Sequence, residues 1–300
     1  MDPAIVIFGL GVGILVGMTG IGGGSLMTPM LILVFGVTPT TAIGSDLAYA
    51  AVTKTVGGYK HWTQKTVDFR ISTWMAVGSV PAAIAGVYVL TLLEDWLGHD
   101  FEDTVIILLA AALLLTGTAT LIRALLKRMQ ERERDTIEPM ERRHKIAAVA
   151  LGLSVGFVLG VTSAGSGALI AVGLILFFRL TPQRVVGTDV FHAAILLWAA
   201  GLAHWVGGNI DFALMGTILL GSVPGVWIGS ALVDRVPVGF LRPTLGCVLL
   251  GSALGVLTKA GLDLPVWTIV GIPAAVGAVV WMVHRLQFRK APVTAWAHTS

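Results

Sequence analysis

Three ionisable residues interrupt long apolar stretches of this sequence, and their chemistry differs. Lys54 lies twelve residues into the apolar segment 42–60, while Asp46 and Asp189 occupy the short motifs "GSD" and "GTD". A charge within an apolar segment is costly, so each is a candidate for a binding role. A desolvated ammonium at Lys54 predicts a bound anion or a carboxylate partner. The alternative is that the lysine side chain extends to the aqueous surface.

The two aspartates and two histidines each allow two interpretations. Asp46 and Asp189 are predicted in the first turn of a helix, where a carboxylate caps free N–H groups. The alternative is a coupling or gating role, in which they bind a proton or cation or balance Lys54. His61 and His204 each precede a tryptophan, which favours anchoring at the membrane interface. Their alternative role is gating or proton relay.

Two glycine-rich sequences, "TGIGGGS" (19–25) and "TSAGSGA" (162–168), provide a second kind of candidate site. Glycines let an anion approach backbone N–H groups closely, and hydroxyl groups can donate hydrogen bonds to oxyanions. The alternative is that small residues only permit close helix crossing, which we favour for the spacing Gly9–Gly13–Gly17. With Lys54, the candidate substrate-binding residues are Thr19, Gly20, Gly22, Gly23, Gly24, Ser25, Thr162, Ser163, Gly165, Ser166 and Gly167.

The composition is that of a membrane protein. Hydrophobic residues make up 55% of the 300 residues and charged residues only 12%, compared with about 25% charged residues in soluble domains. The single cysteine, Cys247, excludes an internal disulfide and a multi-cysteine metal site. No metal site or cofactor is predicted. The net charge of +3 indicates no nucleic-acid partner, and "MDPAIVIFG" lacks the basic start of a cleaved signal peptide.

The sequence repeats itself without a gap at an offset of 143 residues. "GLGVGILVGMTGIGGGSL" (9–26) aligns with "GLSVGFVLGVTSAGSGAL" (152–169), and "TPTTAIGSDLAYAA" (38–51) with "TPQRVVGTDVFHAA" (181–194). The motifs "VDF" and "IDF" also align, and their aspartates, Asp68 and Asp211, are predicted helix N-caps. The register extends from Gly9 to Gly86, which is strong evidence for two homologous halves.

Positive charges assign the two halves opposite orientations. The linker 123–145 contains eight Lys or Arg residues, which predicts that it is cytoplasmic. Basic residues then fall in non-equivalent loops of the two halves, as in transporters with inverted repeats. We expect a first repeat at 1–122, the charged linker at 123–145, an inverted repeat at 146–284 and a cytoplasmic tail at 285–300. The N-terminus is expected outside and the C-terminus in the cytoplasm.

The glycine-rich sequences lie between segments that are short for membrane spans. Segments 5–18 and 25–37, and equivalently 146–161 and 168–178, are predicted half-helices, because 14 helical residues cover about 21 Å. The predicted fold is an all-α polytopic membrane protein with inverted-topology repeats, each a broken, re-entrant helical hairpin plus about three full spans. Pairs of short, fully crossing helices would give the same outer topology.

These motifs resemble the TauE/SafE family of sulfite and organosulfonate exporters. The resemblance covers most of residues 5–259 and rests on "GIGGGSLMTPMLILVFGVTPTTAIGSDL" (21–48), "KTVDFR" (65–70), "GSGALI" (165–170) and "TPQRVVGTD" (181–189). It implies secondary transport of small sulfur oxyanions or sulfonates across the inner membrane. A small sulfur anion and membrane lipid are therefore the expected partners. Proton or sodium coupling and a homo-oligomer are both compatible with this resemblance.

Four alternatives compete with the expected exporter. An anion channel or a coupled importer could use the same architecture. A membrane-embedded enzyme is not expected, because the histidines are dispersed and no catalytic set converges in the sequence. A purely structural membrane scaffold would not explain two matched glycine-rich sequences or Lys54. The leading expectation is export by alternating access, with substrate at the glycine-rich tips near the midplane.

Overall fold

The computed structural model describes residues 3–19, 24–125, 135–136, 139–232 and 238–289, and these form an all-α membrane protein. Five helices make up the first half: α1 (Pro3–Thr19), α2 (Gly24–Leu33), α3 (Pro39–Thr63), α4 (Phe69–Leu97) and α5 (Phe101–Leu125). The second half contains α6 (Arg142–Thr162), α7 (Ala168–Gly173), α8 (Pro182–Val206), α9 (Phe212–Leu232) and α10 (Val238–Lys259), followed by α11 (Val266–Arg289). A π-helical stretch, Leu174–Phe178, continues α7.

Several of these helices are long and apolar enough to cross a membrane. By length and composition the spans are Phe69–Arg123, which comprises α4 and α5, and then Arg142–Thr162, Pro182–Val206 and Phe212–Leu232. Shorter apolar helices accompany them. α3 has 25 residues, or about 37 Å of rise, but its buried polar residues lower its hydropathy.

The first helix of each half packs against the fourth helix of the other half. An added Cβ on three glycines of α1 would clash with or closely approach α9: Gly9 with Ile218, Gly13 with Ser222 and Gly17 with Val226. The equivalent glycines of α6 meet α4 at the equivalent positions: Gly152 with Met75, Gly156 with Ser79 and Gly160 with Ala83. Both pairs are parallel, because the contacting residue numbers rise together. The interpretation of Gly9–Gly13–Gly17 as a helix-crossing surface is confirmed.

Equivalent helices of the two halves run antiparallel. Trp198 Nε1 on α8 donates a 2.8 Å hydrogen bond to Thr55 Oγ1 on α3, whereas Gly201 of α8 lies near Ala48 of α3. The residue numbers therefore run in opposite directions along this pair. An antiparallel relation between equivalent helices is what a two-fold axis in the membrane plane produces.

The helix lengths correct one prediction. The predicted half-helices too short to cross the membrane include α2, which has 10 residues, and α7 with its π-helical continuation, and the structure agrees for both. The prediction is wrong for α6, which begins at Arg142 and has 21 residues, or about 31 Å of rise. Four basic or histidine residues at its start were assigned to the linker, but they form its first turn.

Asp68 and Asp211 cap α4 and α9, as predicted. Asp68 Oδ1 accepts hydrogen bonds from two backbone N–H groups at 3.1 Å, and Asp211 Oδ1 does the same at 2.9 and 3.0 Å. The backbone N–H of each cap also donates to the opposite half: Asp68 to Thr188 Oγ1 and Asp211 to Ser45 Oγ. Thr188 precedes Asp189 and Ser45 precedes Asp46, so the residue before each of these aspartates holds the start of a helix in the other repeat.

Candidate functional site

Asp46 and Asp189 do not cap their helices, which corrects the first-turn prediction. α3 and α8 begin at Pro39 and Pro182, after Thr38 and Thr181. Each aspartate therefore lies about two turns, roughly 10 Å, inside its helix. Both carboxylates are buried, so their partners must come from other helices.

The second glycine-rich sequence connects these two carboxylates. After α6 ends, the chain adopts positive φ at Ser163 (58°), Gly165 (114°) and Gly167 (92°) before α7 begins. Glycine tolerates such backbone angles without a steric penalty, which accounts for its use at 165 and 167. We call residues 163–167 the connecting turn. Its first residue contacts Asp46 and its last contacts Asp189.

A cluster of oxygen atoms surrounds Asp46. Thr28 Oγ1 on α2 donates to Asp46 Oδ2 at 2.5 Å, and Ser163 Oγ donates to the same oxygen at 2.9 Å. The two hydroxyl oxygens are 2.7 Å apart. Gly24 completes the enclosure, because a Cβ added there would lie 2.7 Å from the Ser163 carbonyl oxygen and 3.2 Å from Asp46 Oδ2. α2, α3 and the connecting turn therefore meet at Asp46.

Two cations surround Asp189. The carboxylate accepts a hydrogen bond from the Gly167 backbone and interacts electrostatically with Lys54 and Arg123. Arg123 Nη1 also lies 3.5 Å from the Gly167 carbonyl oxygen. Lys54 and Arg123 are only 7% and 8% exposed, which does not fit a lysine extended to the surface. Two basic side chains and one carboxylate therefore meet at this end of the turn.

The remaining predicted tip residues are buried where the structure describes them. Ser25, Thr162, Ser166 and Gly24 are buried, and Thr162 Oγ1 donates to the Val158 carbonyl within its own helix at 2.6 Å. Gly20, Gly22 and Gly23 lie outside the described residues, as does the side chain of Thr19.

The hydrogen bonds that the structure describes for the histidines go to groups other than the two carboxylates. His204 is fully buried, and its Nε2 is 2.9 Å from the Gly160 carbonyl oxygen. It therefore joins α8 to α6 and is not an interfacial anchor. His61 is partly buried, with Nδ1 3.0 Å from Thr66 Oγ1. His192, which the sequence analysis did not select, is buried with Nε2 3.2 Å from Ser79 Oγ.

Sequence reasoning missed Thr28 and Arg123. Arg123 stands at the start of the charged linker and was counted with it, although α5 continues to Leu125. Its apolar neighbours in "TATLIRALL" are the signal that could have placed it within a helix. Thr28 gave no comparable signal, because a threonine one turn into an apolar helix most often bonds its own backbone.

Comparisons with known proteins identify the family of this chain. The sequence model of the family described as "Sulfite exporter TauE/SafE" matches residues 5–256. The probable membrane transporter protein YjnA of Bacillus subtilis is 37% identical over 85% of this chain and 99% of its own length. YdhB from the same organism is 27% identical over 79% of this chain and 95% of its own. No solved structure matches. The chain belongs to the TauE/SafE family of membrane transporters.

Proposed function

We propose that the protein is a secondary transporter that exports small sulfur oxyanions, such as sulfite or organosulfonates, by alternating access. The observation that carries the proposal is the pair of buried cations, Lys54 and Arg123, beside Asp189 and Gly167. Buried basic side chains beside a glycine-containing turn suit a small oxyanion, which offers several acceptor oxygens. The sulfur chemistry comes from the family description.

The proposed binding site is the cationic end of the connecting turn. Asp189 holds Lys54 and Arg123 in place when no anion is bound, and an anion would share their charge. The Gly165–Gly167 backbone could then approach the anion closely. Thr19, Gly20, Gly22, Gly23 and Ser25 stay candidates for the other wall, on the basis of the repeat alone.

The membrane potential can contribute to anion export. A negative charge that leaves an inside-negative cell releases about 2.3 kcal/mol per 100 mV. The antiparallel halves provide the two related arrangements that alternating access requires. Inner-membrane location, an outside N-terminus and a cytoplasmic C-terminus belong to the same proposal.

The test is uptake of radiolabelled sulfite into proteoliposomes under an imposed potential, with sulfate, thiosulfate and small sulfonates as competitors. The variant Lys54→Met removes the charge and keeps much of the apolar volume. We expect a ten- to hundredfold loss of kcat/KM, since a hydrogen bond to a charged group contributes about 1.5–3 kcal/mol. Lys60→Met, an exposed lysine on the same helix, is the matched control and should transport normally.

Saturable counterflow would support a carrier, whereas large single-channel currents would show a channel. Normal kcat/KM in Lys54→Met would remove the lysine from the site. If wild-type protein moved none of the sulfur anions, the substrate class would be wrong.

A further inference from the structure

The Asp46 cluster has no role in the proposed anion site, although it is as deeply buried. Asp46 is 0% exposed, and its Oδ2 accepts both hydroxyl hydrogen bonds. Its Oδ1 has no hydrogen-bond partner within the part of the chain that the structure describes. A carboxylate oxygen buried without a donor is costly when the group is charged.

Among the described residues Asp189 Oδ1 likewise has no hydrogen-bond partner, but the charges around the two repeat-related aspartates differ. Asp189 lies beside Lys54 and Arg123, whereas the described groups that bond Asp46 are the neutral hydroxyls of Thr28 and Ser163. The repeat partner of Lys54 is Leu197, so the sequence itself provides a basic residue in only one of the two halves at this position. Among the described residues, basic side chains lie beside Asp189, and only hydroxyl groups bond Asp46.

Helix dipoles do not supply that counter-charge. The C-terminal end of α6 and the N-terminal end of α2 meet where Gly24 approaches the Ser163 carbonyl oxygen. Their partial charges have opposite signs and offset each other at the cluster. Among the described titratable groups, Tyr49 on the same helix interacts electrostatically with Asp46. On α9, the Asp211 carboxylate is engaged by its own cap bonds, and on α8 His192 and His204 bond Ser79 and Gly160.

We propose that Asp46, with Thr28 and Ser163, is the binding site of a coupling proton, and that Asp189 serves only the anion site. This inference rests on the proposed transport function. The proton binds the unpartnered Oδ1 from one side of the membrane and leaves to the other, with no bond broken other than O–H. A proton suits the cluster better than a metal cation, because two hydroxyl hydrogens already point at Oδ2.

The test compares Asp46→Asn with Asp189→Asn in proteoliposomes. Asn keeps the size and an acceptor oxygen but takes up no proton. We expect Asp46→Asn to lose at least tenfold of the flux driven by a pH gradient at zero potential while it retains anion counterflow. Asp189→Asn should instead lose counterflow, because it disturbs the anion site. The probe is a sulfonate, whose charge stays constant near neutral pH, unlike that of sulfite.

Asp46→Glu, which restores a titratable carboxyl, should recover part of the pH-driven flux. A sodium gradient that drives wild-type flux in place of the pH gradient would overturn the assignment to a proton. Equal pH-driven flux in wild type and Asp46→Asn would also overturn it.

A second measurement keeps the inference separate from the substrate question. Infrared difference spectra of purified protein across a pH step report protonation of carboxyl groups without any anion present. We expect one buried carboxyl band that is absent from Asp46→Asn and present in Asp189→Asn. If that band is missing from wild type, the assignment of Asp46 as a proton-binding site is wrong even where transport is observed. If the band is present and no sulfur anion moves, the proposed function fails alone.

Discussion

At the scale of single residues, Asp68 offers a clean test of helix capping. Asp68→Ala removes the side-chain acceptor for the N–H groups of Arg70 and Ile71. We expect a loss of about 1 kcal/mol of stability, typical of a lost N-cap. Thermal unfolding in detergent would measure it, with the exposed Asp95→Ala as control. An unchanged midpoint would show that the connection to Thr188 holds the helix start alone.

Residue roles were predictable where the cause is local. The caps at Asp68 and Asp211 follow from a carboxylate just before an apolar run, and the structure confirms both. The prediction that Asp46 lies in the first turn was wrong. The sequence does mark the true helix start, because "TP" at 38–39 places a proline at the first helical position, which proline favours. What distinguishes Asp46 from Asp189 is set by Thr28, Ser163 and Arg123, which are distant in sequence.

At the scale of helices, the contact between α4 and α6 predicts a steep sensitivity to side-chain size. Gly156→Ala would place a Cβ 2.6 Å from the Ser79 Cα, at a backbone that has no room to yield. We expect a loss of about 1–3 kcal/mol, typical of overpacking, seen as a lower unfolding midpoint. Gly216→Ala is the matched control, because nothing lies within 4 Å of the added methyl group. Equal midpoints for the two variants would contradict this packing.

The spacing of small residues predicted that α1 crosses another helix closely, but it could not name the partner. α9 shows the same spacing in Gly221, Gly225 and Gly229, which an added Cβ would bring against α1. Two matching surfaces were therefore present in the sequence. Pairing them needs the fold, because α4 and α6 offer equivalent surfaces.

At the scale of the whole molecule, the inverted repeat predicts that equivalent loops face opposite sides of the membrane. Gln64 and Gly207 are repeat partners at exposed helix ends with nearly the same backbone angles. In a Cys247→Ala background, an impermeant thiol reagent should label Gly207→Cys in intact cells. It should label Gln64→Cys only after the membrane is opened. Labelling of both from one side would contradict the inverted orientation.

The repeat made the architecture of the two halves predictable, since a gapless register leaves little freedom in their equivalence. It did not predict α11, which follows the repeated part. The exchange of first helices between the halves was also unpredicted, because the repeat alone does not say whether α1 packs within its own half or across.

That exchange has a consequence for synthesis of the protein. α6 follows α4 with only α5 and the linker between, so their contact can form soon after α6 emerges. α1 must wait for α9, about 200 residues later, which at 5–20 residues per second means about 10–40 s. During that interval the glycine face of α1 has no protein to cover it. A chain that ends at the linker would lack α9, and the glycine face of α1 would then have no partner helix.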